Sequence, residues 1–77
     1  MTPKEAAVAL VSHETGRGPR NGSFATALLN AFQCADSDNT TKLLTVYPEF
    51  IAPIKFARTQ GIEALEEKIA EGYFDPK

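Results

Sequence analysis

Helix-breaking residues cut this chain into short pieces, and their placement limits what it can fold into. Gly16, Pro48, Gly61, Gly72 and the polar cluster Asp36-Ser37-Asp38-Asn39 each interrupt a pattern of helical period. Between the interruptions, apolar side chains recur three and four residues apart. No stretch alternates with period two, and no internal repeat is present. The sequence therefore predicts an all-α fold: a single domain over residues 1–77, built as a compact bundle of four to five short helices.

The first helix starts at Thr2-Pro3-Lys4-Glu5. Thr2 serves as N-cap, Pro3 suits the first helical position, and Glu5 completes a capping box. Ala7, Leu10 and Val11 share a face, the small run Ala6-Ala7-Val8-Ala9 suits close packing on another helix, and Gly16 ends it. Ser23 is expected to cap a second helix, in which Phe24, Leu28, Phe32 and Ala35 recur at spacings of four, four and three. Ala27, Leu29 and Ala31 widen its apolar surface beyond half the circumference, placing it at the centre of the core, or of a core shared between subunits. Asp36–Asn39 cap a third helix carrying Leu43, Leu44 and Tyr47. Pro48 opens a fourth element with Phe50, Ile54 and Ala57 inside and Gly61 at its end. Pro53 either kinks that helix or marks its true start after a separate turn. Ile62, Leu65 and Ile69 define the last helix, and Tyr73–Lys77 reads as an irregular tail whose two aromatics can dock.

A chain of 77 residues buries only about 60–65% of the surface its unfolded form exposes, so reinforcement is expected. One cysteine excludes an intrachain disulfide, and one cysteine with one histidine falls short of the roughly four ligands of a structural zinc site. Homo-oligomerisation is the remaining means. The formal charge of −2 argues against a bulk grip on nucleic acid or anionic lipid. No apolar run reaches the roughly 20 residues of a membrane span, and Met-Thr-Pro-Lys-Glu does not read as a signal peptide. A cytoplasmic location without membrane contact is expected, and no cofactor is called for.

The segment Gly16-Arg17-Gly18-Pro19-Arg20-Asn21-Gly22-Ser23 is the leading candidate for a working surface. Amides at a helix start with arginine forks beside them form a place for an anion. In that reading Arg17 and Arg20 clamp a phosphate or carboxylate over Gly22–Phe24, Asn21 and Ser23 add hydrogen bonds, and His13 lines the same pocket. The competing reading is a helix–helix connection made of turn-forming residues. No Lys precedes Ser23, so this is not a phosphate-binding P-loop, and the glycine spacing also misses the dinucleotide fingerprint. Asp36–Thr40 begins like a calcium loop, but Thr41 and Tyr47 stand where such a loop needs Gly and Glu. Cys34 reads as a small core residue. No nucleophile–base, metal or paired-carboxylate constellation can be assembled, which points away from an enzyme.

Gly22-Ser23-Phe24, Ala27-Leu28, Ala35-Asp36, Asn39, Leu43 and Tyr47-Pro48-Glu49 form a layout, over residues 22–50, that resembles short all-helical accessory proteins of bacteriophages and mobile elements. The resemblance implies an inhibitor, decoy or small-ligand sponge acting against host defence, oligomeric and placed in the host cytoplasm if phage-encoded. Two functions follow as expectations. The first is sequestration of a small anionic ligand, a nucleotide or signalling phosphate, by the Arg/Gly loop. The second is a protein-binding inhibitor or adaptor acting on a host protein through Phe50, Phe56, Tyr73 and Phe74 or the acidic last helix.

Overall fold

The computed structural model describes residues 1–75. Among them are five helices and no strand: α1 (Pro3–Thr15), α2 (Ser23–Cys34), α3 (Ser37–Val46), α4 (Ile51–Gln60) and α5 (Ile62–Ala70), with a 3-10 turn at Pro48–Phe50. The radius of gyration is 11.6 Å, close to the roughly 11.5 Å of one compact body of this length. No described helix is long and apolar enough to cross a membrane.

Local chemistry sets most helix boundaries. Thr2 accepts from the Glu5 amide at 3.1 Å while Glu5 accepts from the Thr2 amide at 2.8 Å, the reciprocal capping box. Gly16 takes the left-handed conformation at the end of α1, and its amide donates to Ser12 at 2.8 Å. Asp36 caps α3 by accepting from the Asn39 amide at 2.8 Å. Gly22, not Ser23, caps α2: its extended backbone already supplies the first helical carbonyl, to Thr26 at 3.0 Å, so Ser23 lies one residue inside the helix. The Pro53 alternative resolves into two elements. The chain makes a 3-10 turn at Pro48–Phe50, and α4 begins at Ile51 with Pro53 in its first turn, where no amide hydrogen is needed.

The core centres on α1 rather than α2. Ala6 and Ala7 are fully buried, and their small side chains let α1 lie close against α4 and α5. Phe50 and Leu65 are also fully buried, and Phe32 meets Phe50 with ring centroids 5.3 Å apart. From α2 only Leu28, Leu29 and Phe32 enter the core. Phe24 is 63% exposed, and Ala27, Ala31 and Cys34 lie outside with it, because among the described residues no helix covers that side of α2 and only the Tyr47 ring stands beside Phe24. The expectation of Phe24 and Cys34 as core residues is thereby corrected. In the tail, Gly72 turns the chain so that Phe74 docks in the core, while Tyr73 beside it stays exposed. Lys4 pairs with Asp75 at 2.7 Å, tying this turn to the start of α1. Pro76 and Lys77, part of the expected irregular tail, lie outside the described residues.

Candidate functional site

The Arg/Gly segment folds back along the end of α1 and is fastened there. The Ser12 hydroxyl donates to the Pro19 carbonyl, and the Asn21 amide donates to the Ala9 carbonyl at 3.0 Å. Thr15 accepts from the Arg17 amide at 3.1 Å. Arg17 itself reaches across to α5 and pairs with Glu66 at 2.9 Å. Both partners are well exposed, so the pair contributes only about 0–1 kcal/mol, but it occupies the guanidinium.

The six residues singled out in the sequence do not share one pocket. Arg17 borders a cleft with Val8, Val11, Pro19, Glu66 and Ile69. Arg20, Asn21 and Gly22 border another, with Lys4, the Glu5 carboxylate, Val8, Ala9 and Ala25. His13 lies on a different side of α1, its Nε2 3.4 Å from Oε1 of Gln33 on α2. Ser23 is exposed in the first turn of α2. What remains of an anion corner is Arg20, which makes no ion pair among the described residues, and an α2 start that no side chain caps.

A different cleft is better built. It encloses about 330 Å³ where four helices meet: Leu10 and Glu14 from α1, Leu29, Phe32 and Gln33 from α2, Ile54, Ala57 and Arg58 from α4, and Ile62 from α5. Its floor is core surface, since Leu10, Leu29, Phe32 and Ile54 are all buried. Its rim is polar. Gln33 donates to Glu14 at 2.7 Å and stands beside His13, forming a bridge from α2 to α1 along one lip. Arg58, exposed in the last turn of α4, stands on the rim with no ion pair among the described residues. The volume falls at the lower end of the roughly 300–1,000 Å³ typical of small-molecule sites, and apolar walls with few polar groups are the usual makeup of such sites.

No family model matches the chain, and neither a curated protein nor a solved structure matches it. The functional reading rests on this geometry. Among the described residues no three His, Cys, Asp or Glu side chains converge as a metal-binding group. Cys34 is exposed at the end of α2. Sequence reasoning passed over Arg58 because its partners in the cleft come from three other helices. The i, i+3, i+4 relation of Ile54, Ala57 and Arg58 shows a common side of α4 but not the gap that side faces.

The aromatics expected to contact a partner divide. Phe50 and Phe74 are buried in the core and unavailable for contact, Phe56 is half-buried, and Tyr73 is exposed. Phe24, assigned to the core by its period, is the ring that α2 presents outward.

Proposed function

We propose that this chain is a non-enzymatic binding protein that sequesters a small amphiphilic anion in the four-helix cleft. One observation carries this reading: an apolar floor of buried Leu10, Leu29, Phe32 and Ile54 lies under a rim bearing the exposed Arg58. The floor takes an aliphatic or aromatic body, and the arginine fork takes a carboxylate, sulfonate or phosphate head. Binding alone lowers the free ligand, so no catalytic group is required. This agrees with the sponge role implied by the resemblance over residues 22–50.

Titration calorimetry with decanoate and with anilinonaphthalene sulfonate tests the reading. Arg58→Ala is expected to weaken both about tenfold, the low end for a charged hydrogen bond because the arginine is exposed. Ala57→Trp, which fills the cleft, is expected to abolish binding of both. Wild-type affinity in both variants, or no binding to the wild type, overturns the proposal.

The anion reading of the Arg/Gly loop stands as a second proposal in narrower form, favoured by the uncapped start of α2 beside Arg20, Asn21 and Gly22. It involves an anion without an apolar body, and Arg20→Ala rather than Arg58→Ala is the variant that weakens it.

A further inference from the structure

The outward face of α2 carries an inference independent of the cleft. Phe24, Ala27, Ala31 and Cys34 all lie on it exposed, and no side chain of α2 is charged. Their spacing of three, four and three reads the same from either end of the helix. Laid antiparallel on a copy of itself, the face sets Phe24 against the partner's Cys34 and Ala27 against the partner's Ala31. The large ring then meets a small side chain, and the central alanines let the two backbones approach closely.

Charge favours that direction. Arg20 lies just before α2, and Asp36 and Asp38 lie just after it. An antiparallel pair brings the positive helix end of one copy beside Asp36, Asp38 and the negative helix end of the other, twice over. A parallel pair sets like against like at both ends. The ring of Tyr47, 6.1 Å from that of Phe24 by centroid, extends the apolar surface on the α3 side.

We infer that this face is a homodimer interface: two copies of the chain pack α2 against α2 about a two-fold axis, antiparallel. Alanine 27 opposite alanine 31 gives a direct test by sedimentation equilibrium, from low micromolar to millimolar protein. The wild type is expected to reach twice the monomer mass. Ala31→Glu and Ala27→Lys, each at an exposed position, are expected to remain monomeric and folded by circular dichroism. Mixed in equal amounts, the two variants are expected to regain the dimer mass, because the side chain of Ala27→Lys in one copy then faces that of Ala31→Glu in the other. A wild type that stays monomeric at millimolar concentration, an Ala31→Glu variant that still dimerises, or a mixture without rescue overturns the inference. The cleft reading is untouched by any of these outcomes, since Arg58 and Ala57 lie on α4.

Discussion

Glu5 acts as a lock on the first turn of α1. Its carboxylate accepts from the Thr2 amide, while the Thr2 hydroxyl accepts from the Glu5 amide. The Thr2 amide first, and then the Thr2 hydroxyl, hold the Glu5 carboxyl below its ordinary range. A depressed folded value means that the ionised form favours the fold. The contribution is therefore complete above the unfolded pKa and lost as pH falls through the folded one. On acidification, the Thr2 amide resonance is expected to move with the Glu5 titration, at a pH below that of an unpaired glutamate. Glu5→Gln is expected to remove that movement, and a Glu5 that titrates normally by NMR sinks the argument. This cap was legible in the sequence because its donors and acceptors lie within three residues. The fate of Phe24 was not: its apolar period placed it inside, as the same kind of period placed Phe50, yet Phe24 is 63% exposed while Phe50 is buried as read. Only the packing of distant segments decides that one ring is covered and the other bare.

At the level of elements, Gly61 is the joint on which α4 and α5 turn against each other. Its backbone stands at φ 94 and ψ 160, a region essentially confined to glycine. A Cβ built there meets nothing within 4 Å, so the constraint is in the backbone and not in space. Gly61→Ala is expected to cost about 1–3 kcal/mol in urea unfolding. D-alanine at the same position, introduced by chemical synthesis, is expected to stabilise by about 0.4–1 kcal/mol, because it fits positive φ and restricts the unfolded chain. Equal effects of the two enantiomers contradict this account. Helix ends were readable for the same reason that this joint was: glycine, proline and capping side chains act locally. The cleft was not readable. Arg58 and its neighbours acquire meaning only when α1, α2, α4 and α5 leave a gap between them, and a gap has no sequence signature.

For the molecule as a whole, the core is narrow and depends on a few side chains. Leu65 is fully buried at the contact of α5 with α1 and α4, and Leu65→Ala removes it at a typical cost of about 2–5 kcal/mol. A domain of this size holds only about 4–12 kcal/mol in total. The variant is therefore expected to melt well below the wild type by circular dichroism, and a melting curve like the wild type's contradicts this place for Leu65 in the core. The all-α architecture itself came through from sequence because helical period and capping signals agree along the chain. The identity of the central helix did not, because α2 has the longer apolar surface while α1 has the alanines that permit close approach.

The packing of α1 on α4 and α5 also governs the order in which the fold can form. A ribosome delivers α1 ahead of α5 by a delay on the order of seconds at ordinary rates of synthesis. In that interval Ala6, Ala7, Leu10 and Val11 are joined first by α2, then by the Pro48–Phe50 turn and α4, and only at its end by α5. The helix that organises the finished molecule is thus made first and satisfied last. The contacts that span most of the chain, Phe74 in the core and Asp75 on Lys4, become possible only once nearly all of it has been made.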